Sequence, residues 1–134
     1  MVAIADSGFI VARWSKRAGR RQWAIGWWRR ADLPMLTSAA NLQEAGWLLE
    51  NHEIILRMVK DGDLRVALDI QAEAESLHQF IAKYAERADL ADASIVRLSE
   101  LEPQATVLTV DKEDFRIYRR FGNKIVPCDF PPEA

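Results

Sequence analysis

Short apolar runs without polar alternation are the feature that most constrains the fold of this chain. Residues 2–5 read Val-Ala-Ile-Ala, and residues 105–110 form a longer run that is rich in β-branched side chains. Such runs are typical of strands that are buried on both faces, as in parallel sheets. We predict further short strands at residues 35–37, 64–68 and 124–126.

Helical segments separate the predicted strands. They are expected at residues 9–14, around Trp23 to Trp28, and at residues 39–50, 53–60, 70–87 and 89–100. The alternation favours a parallel sheet with helices on both faces. A length of 134 residues, without a linker or an internal repeat, predicts a single domain over residues 1–134. The Pro-rich tail after Phe130 is expected to be frayed.

The composition excludes several classes of protein. Eighteen basic and 20 acidic residues give a formal charge of -2, so any nucleic-acid surface has to be a local patch. A single cysteine, Cys128, and two histidines, His52 and His78, exclude an intramolecular disulfide and a Cys/His zinc site. No apolar run reaches the roughly 18 residues of a membrane span, and no secretory signal pattern is present, so a cytoplasmic location is expected.

Acidic side chains follow two of the predicted strands directly. Asp6 comes after the first strand, and Asp111 comes after the strand at residues 105–110. The carboxyl ends of parallel strands lie at one edge of a sheet, where ligands bind in open α/β proteins. Each aspartate alone is equally well explained as a turn or helix-capping residue, so it is their joint position that suggests a site.

Two helical segments add further acids. Glu44 is predicted at the border of the apolar stripe of its helix, where it can point along the core. That stripe consists of Leu42, Ala45, Leu48 and Leu49. Asp89 and Asp92 share one face at the start of another helix, where N-capping is the simplest interpretation of the pair.

Several carboxylates at one place cannot all stay ionised without a counter-charge. Two like charges about 4 Å apart repel each other by roughly 4 kcal/mol at an effective dielectric constant of 20. Convergent acids therefore either take up protons or bind a divalent cation. Ligand oxygens without His or Cys select Mg²⁺ or Mn²⁺, which can activate water for phosphodiester hydrolysis.

Four stretches of the sequence, taken in order, resemble the PIN-domain family of metal-dependent ribonucleases. Within that family, the chain is most similar to the VapC-type toxins of toxin–antitoxin pairs. The stretches are residues 5–7, residues 36–38 with 41–45, residues 89–96, and residues 107–111 leading to Asp114 and Phe115. The resemblance covers residues 2–126 and departs from the family pattern at Gly8, where a small polar residue is usual.

The resemblance implies a three-layer α/β/α sandwich with a central, mostly parallel sheet, and an endoribonuclease that uses Mg²⁺ or Mn²⁺. The implied catalytic residues are Asp6, Glu44, Asp92 and Asp111. The implied metal ligands are the same four residues together with Asp89, which assists through water. Ser7 and Thr109 are expected to hydrogen-bond to the acids, whereas Asp114 is a weaker candidate. The expected partners are an RNA substrate, a cognate antitoxin protein and a second copy of the chain in a homodimer.

Basic residues are concentrated near the N-terminus. Between Ser7 and Ala31 there are seven basic residues and no acid, and four tryptophans are interleaved with them. One interpretation is a cradle for the RNA backbone with stacking faces; the other is that most of the tryptophans pack against the sheet. The candidate RNA-binding residues are Arg13, Arg17, Arg20 and Arg21, with Arg116 from a second basic cluster.

Other functions use similar residues. A receiver-like signalling domain also places acids around Mg²⁺, but it requires paired acids after the first strand and a lysine after the last one. Asp6-Ser7 and the residues beyond Val126 do not supply them. A non-catalytic module that keeps the fold and binds RNA or protein is the main alternative. A DNA nuclease or a small-ligand phosphatase would share the metal chemistry, so the choice of RNA rests on the resemblance.

Overall fold

A five-stranded parallel sheet forms the centre of the protein. The computed structural model describes residues 1–132. The sheet contains β1 (Ala3–Ala5), β2 (Met35–Thr37), β3 (Leu64–Val66), β4 (Thr106–Leu108) and β7 (Cys128–Asp129). Its strand order is β3-β2-β1-β4-β7, and every neighbouring pair is parallel. In the register of the sheet, Ile4 of β1 lies opposite Leu36 on one side and Val107 on the other.

Helices cover both faces of this sheet, as the sequence predicted. In chain order they are α1 (Ser7–Ala12), α2 (Ala18–Arg30), α3 (Ala39–Leu49), α4 (His52–Lys60), α5 (Ala74–Lys83), α6 (Leu90–Leu101) and α7 (Lys112–Ile117). Two of them begin at predicted caps, Asp89 for α6 and Asp111 for α7, and Ser38 caps α3 in the same way. The expected α/β/α sandwich with a mostly parallel sheet is therefore confirmed.

The alternation of side chains along β1 divides the core into two halves. Ala3 and Ala5 point to one face and pack with Phe9, whereas Ile4 points to the other face. All three β1 residues are fully buried. The absence of polar alternation in residues 2–5 is thus explained, because β1 is the central strand and both of its faces lie in the core.

The strand order places a topological switch point between β1 and β4. From β1 the chain proceeds outward through β2 to β3, and it then returns to add β4 on the opposite side of β1. Ligands in open α/β sheets bind in the crevice beyond the carboxyl ends of strands at such a point. Asp6 follows β1 directly, and Asp111 follows three residues after the end of β4.

Some details differ from the sequence-based predictions. The strand at residues 124–126 does not join the central sheet: β6 (Lys124–Ile125) pairs antiparallel with β5 (Arg119–Arg120). Phe121 and Gly122 have positive φ between those strands, so the chain turns back on itself locally. The fifth strand of the central sheet is instead β7, which was not predicted. The helix predicted at residues 70–87 is shorter than expected, since α5 spans Ala74–Lys83, whereas α6 has the predicted length and is displaced by one residue.

The C-terminal tail and the exposed face of α3 can also be compared with the predictions. Pro131 and Pro132 belong to no helix or strand, and the rest of the predicted frayed tail, residues 133–134, lies outside the described residues. On α3, Leu48 is 49% exposed, so its predicted place in the apolar stripe was wrong; Asn41, Ala45 and Gly46 are the buried positions. No helix in residues 1–132 is both long and apolar enough to cross a membrane.

Candidate functional site

Asp6 is the most deeply held acid of the predicted site. It caps α1 at the end of β1 and is only 6% exposed. Its Oδ1 accepts hydrogen bonds from the backbone N–H of Ser7 at 2.9 Å and from Nδ2 of Asn41 at 3.1 Å. Its Oδ2 accepts from the hydroxyl of Thr109 at 2.6 Å. Both carboxylate oxygens are therefore fixed by neighbouring donors, and the role expected of Thr109 is confirmed.

The electrostatic environment of Asp6 opposes its ionisation. Burial raises the pKa of Asp6 from its ordinary value of 3.8 to about 6, although the hydrogen bonds from Thr109 and Ser7 act in the opposite direction. The negative charges of Glu44 and Asp111 raise the pKa further. Two of the other predicted acids therefore lie close enough for their charges to act on Asp6.

Asp92 reaches the same region from the first turn of α6. Its Oδ2 accepts a hydrogen bond from the hydroxyl of Tyr118 at 2.7 Å. Burial raises the pKa of Asp92 to about 7, the bond from Tyr118 lowers it, and the charges of Asp89, Asp6 and Asp111 raise it. The charges of Asp6 and Asp111 act on Asp92, so these three aspartates form one interacting group.

Asp111 joins that group from the side of β4. Its Oδ1 accepts from the backbone N–H of Asp114 at 3.1 Å and so caps α7, while its own N–H donates to Oγ1 of Thr109 at 3.0 Å. Burial, followed by interactions with Asp114 and Glu113, raises the pKa of Asp111 to about 6. The capping interpretation of Asp111 and its place near Asp6 both hold, because the start of α7 lies beside the switch point.

Glu44 and Asp89 occupy the periphery of the group. Glu44 is half-buried on α3, and its charge acts on Asp6. Asp89 is exposed, and its Oδ1 accepts the backbone N–H of Asp92 at 2.8 Å. Its capping role is therefore confirmed. Asp114 forms an ion pair with Arg87, and its side chain also interacts with that of Asp111.

The acids interact electrostatically but do not form a closed ligand cage. Within residues 1–132, no group of three or more His, Cys, Asp or Glu side chains lies close enough together to hold a metal ion. The donors nevertheless suit a hard cation in kind, because they are all carboxylates. Three of them also carry raised pKa values that a neighbouring positive charge would lower. The residues fit Mg²⁺ or Mn²⁺ in chemistry, in an arrangement looser than a formed metal centre.

Asn41 and Tyr118 are site residues that the sequence reasoning missed. Asn41 is fully buried, and its Nδ2 bridges Asp6 and the hydroxyl of Ser7 at 3.1 and 3.0 Å. Tyr118 is also fully buried and supports Asp92. The sequence signal that could have identified Asn41 is a polar residue on the inner face of α3, three residues before Glu44. No local pattern marks Tyr118, because its contact with Asp92 spans 26 residues.

Gly8 is explained by packing. A Cβ atom at this position would collide with Cγ2 of Val110, the residue that precedes Asp111. The glycine therefore allows α1 to approach the end of β4 closely. The departure from the family pattern at Gly8 thus removes no carboxylate and permits a contact that adjoins the site.

The five candidate RNA-binding arginines occupy different surroundings. Arg13 lies over the rings of Trp14 and Trp28, at 5.1 and 5.7 Å from the ring centroids, and Arg21 donates to the carbonyl of Ser15 at 2.8 Å. Arg116 borders a separate cavity beside Phe115 and Cys128. Arg17 and Arg20 line a cleft together with Val110 and Lys112, the two neighbours of Asp111. Of the five candidates, Arg17 and Arg20 therefore share a cleft with the two sequence neighbours of Asp111, a predicted catalytic acid.

The tryptophans of α2 pack into the core and stabilise the fold. Trp27 is buried, and both Trp23 and Trp28 pack against the core. The indole N–H groups of Trp23 and Trp27 both donate to Oδ2 of Asp129, at 2.9 and 2.6 Å. The packing interpretation therefore holds for these three tryptophans, whereas Trp14 is 38% exposed. The two bonds to Asp129 attach α2 to β7.

Comparison with known proteins assigns no family or function to the chain. No protein-family model matches the chain, and no curated protein matches it.

Proposed function

We propose that this protein is a metal-dependent endoribonuclease that hydrolyses phosphodiester bonds at the carboxyl edge of its parallel sheet. The observation that carries the proposal is the electrostatic group of Asp6, Asp92 and Asp111 at the switch point between β1 and β4. Glu44 adds its charge from α3. The resemblance of the four acidic stretches to PIN-domain ribonucleases supports RNA as the substrate.

Within this proposal, the residues of the chain hold and orient charge. Asp6, Glu44, Asp92 and Asp111 would hold the metal ion, with Asp89 assisting through water. Bound there, Mg²⁺ or Mn²⁺ supplies an activated water and neutralises charge on the phosphodiester. Thr109 and Asn41 fix the two oxygens of Asp6, and Tyr118 fixes one oxygen of Asp92. Orientation of metal ligands by such hydrogen bonds raises the precision of the site.

Cleavage assays of the purified protein test this proposal. Structured RNA, unstructured RNA and single-stranded DNA are incubated with Mg²⁺ or Mn²⁺, and in parallel with a chelator. We expect metal-dependent cuts in RNA that disappear in the variants Asp6→Asn and Asp92→Asn. Asp61→Asn is the matched control, because Asp61 is an exposed aspartate at the end of α4. Cuts that survive in Asp6→Asn would identify a contaminating nuclease and contradict the proposal.

The biological role within the proposal is that of a toxin of a type II toxin–antitoxin pair. A cognate antitoxin protein is the proposed partner, and a short reading frame for a DNA-binding protein beside the gene would support it. We also propose a homodimer, for which the exposed Trp47 on α3 is a candidate contact at 70% exposure. Growth arrest on expression of the wild type, but not of Asp6→Asn, tests the toxin role, and light scattering tests the dimer.

A non-catalytic RNA- or protein-binding module is the second candidate. The absence of a compact ligand set among residues 1–132 favours it. Metal dependence separates the two functions: a nuclease loses turnover in chelator, whereas a binding module keeps its affinity for RNA. Binding without cleavage under every metal condition would establish the module.

A further inference from the structure

A cleft of about 800 Å³ lies between the first turn of α2 and the carboxyl end of β4. Arg17 and Arg20 line one side, while Val110 and Lys112 line another. Phe130, which follows β7, adds an aromatic wall, and Pro131 and Pro132 complete that side. The volume lies within the roughly 300–1,000 Å³ that is usual for pockets that bind small organic ligands.

The cleft adjoins the acidic group. Val110 and Lys112 are the residues on either side of Asp111, so this wall is formed by the chain segment that carries that aspartate. Val110 is held in place by its close approach to Gly8. The wall from α2 is attached to the segment that carries Phe130, because Asp129 of β7 accepts hydrogen bonds from Trp23 and Trp27 of α2. The cleft is therefore a built part of the fold beside the proposed reaction centre.

Two of the positive charges in the cleft belong to Arg17 and Arg20. Among residues 1–132, neither Arg17 nor Arg20 forms a salt bridge. Burial, together with the charge of Arg17, lowers the pKa of Arg20, so these guanidinium groups repel each other. An anionic group between them would relieve that repulsion and form charge-assisted hydrogen bonds.

We infer that the cleft binds one nucleotide of the nucleic-acid strand that the protein processes. Its phosphate lies between Arg17 and Arg20, and its base packs against the ring of Phe130. Flat aromatic side chains beside cationic groups are the elements with which proteins hold single-stranded nucleic acids. An acidic peptide would use the arginines but not the aromatic wall. This inference rests on the proposed function, because it makes the cleft a substrate subsite next to the scissile bond.

Calorimetric titration of the full chain in chelator tests the inference without any contribution from metal. The probes are a nucleoside 5′-monophosphate, the corresponding nucleoside, inorganic phosphate and a single-stranded RNA pentamer. We expect the monophosphate to bind more tightly than either of its parts. The double variant Arg17→Gln/Arg20→Gln should weaken pentamer binding by about tenfold or more, because charge-assisted hydrogen bonds are lost. The slope of log affinity against log salt should also become shallower by about 1.

Two further variants keep the test decisive. Arg29→Gln/Arg65→Gln removes the same charge from exposed positions outside the cleft and should leave pentamer affinity within about twofold at matched salt. Phe130→Leu keeps an apolar side chain but removes the flat ring, so it should weaken binding of the nucleotide and leave binding of inorganic phosphate unchanged. The amide resonance of Gly19, at the edge of the cleft, should shift on nucleotide addition.

Each contrary result overturns a defined part of the inference. Equal losses in the two double variants would mean general charge attraction, and equal affinity for phosphate and nucleotide would exclude recognition of the base. Binding of an acidic peptide in preference to the pentamer would assign the cleft to a protein partner, and no binding by any probe would reject the site. Nucleotide binding without cleavage contradicts the proposed function alone. Cleavage with an unchanged KM in Arg17→Gln/Arg20→Gln contradicts the subsite alone.

Discussion

Thr109 donates a hydrogen bond from Oγ1 to Oδ2 of Asp6 across 2.6 Å, and this bond joins the end of β4 to the end of β1. The same hydroxyl oxygen accepts the backbone N–H of Asp111 at 3.0 Å. One fully buried threonine therefore fixes the carboxylate of Asp6 after β1 and the backbone of Asp111 after β4.

Replacement of that hydroxyl should destabilise the fold. Thr109→Val keeps the shape of the side chain but leaves Oδ2 of Asp6 and the N–H of Asp111 without their partner, which should lower the free energy of unfolding by about 2 to 3 kcal/mol. Thr109→Ser retains the hydroxyl and should lose about 1 kcal/mol, chiefly for the missing methyl group. Urea unfolding measures both, and equal stability of the two variants would contradict the bridging role.

The stability of the metal-free protein should increase as the pH falls from 8 to 5. Asp6, Asp92 and Asp111 have folded-state pKa values of about 6, 7 and 6, above the ordinary 3.8. The folded chain therefore binds protons more tightly than the unfolded chain. The resulting stabilisation is complete below the unfolded pKa and is lost as the pH rises through the folded values. Asp6 alone should contribute about 1 kcal/mol over this range.

Urea midpoints in chelator at pH 5 and pH 8 measure this dependence. Asp6→Asn should make it shallower by the contribution of Asp6, because the amide does not titrate, whereas Asp61→Asn should leave it unchanged. A wild-type protein that is more stable at pH 8 than at pH 5 would show that the acids are not buried together as described.

Divalent metal should stabilise the folded protein most at high pH. Binding to the folded state alone raises the free energy of unfolding by about 2.7 kcal/mol when the metal is at 100 times its Kd. The increase should shrink at pH 6, where the three aspartates are partly protonated and protons compete with metal. Sodium chloride at matched ionic strength should not reproduce the effect. Asp92→Asn should lose it, and an unaltered response in that variant would place the metal elsewhere.

Tyr118→Phe should weaken the site without unfolding the protein. The ring of Tyr118 packs with Phe80, Tyr84 and Phe115, and phenylalanine preserves those contacts. The hydrogen bond to Asp92 is lost, and loss of such a partner typically reduces metal affinity or activity about 10- to 100-fold. Tyr84→Phe is the matched control, because the hydroxyl of Tyr84 accepts from the backbone of Arg119 instead. Similar Mg²⁺ affinities in the two variants would refute a positioning role.

Gly8→Ala should disturb the end of β4. The new methyl group would collide with Val110, and relief of that overlap should cost about 1 to 3 kcal/mol of stability. The double variant Gly8→Ala/Val110→Ala should recover part of the loss, since it removes the opposing methyl groups. Gly19→Ala is the control, because a Cβ there approaches only Pro132, at 3.9 Å. Thermal unfolding of the four proteins compares them directly, and an unaffected Gly8→Ala would contradict the close approach.

The layers of the fold were predictable because their signals are local. The central strand β1 has no polar residue, so its burial on both faces could be expected, and Asp6 followed it in an unambiguous position. The strand β7 gave no such signal, since it has two residues and follows Pro127. It forms because β4 offers an open edge, where Val107 lies opposite Cys128. Edge pairing of this kind depends on tertiary contacts rather than on a sequence period.

The candidate site was likewise predictable where its signals are local and not where they depend on tertiary contacts. The acids at strand and helix ends were predicted because the sequence signals for such ends are strong. Glu44, in the middle of α3, was predicted from its place beside the apolar stripe. Tyr118 was missed because its hydroxyl meets Asp92 only after α6 and α7 have packed together. Arg13 and Arg21 were grouped with Arg17 and Arg20 by sequence. In the structure, Arg13 lies over the ring of Trp28 and Arg21 donates to the carbonyl of Ser15, and neither lines the cleft that Arg17 and Arg20 line. Spacing along the chain indicates which helix carries a side chain, not what that side chain contacts.

The position of β1 has a kinetic consequence. Its partner β4 lies about a hundred residues further along the chain, and the bond between Asp6 and Thr109 closes a separation of 103 residues. Closing so large a loop is entropically slow, and contacts of this range lower the folding rate. A partly folded molecule that has formed only β1, β2 and β3 therefore carries Asp6 and Glu44 but has not yet brought Asp92 and Asp111 to them. The acidic group at this edge of the sheet is therefore complete only after β4 has paired with β1.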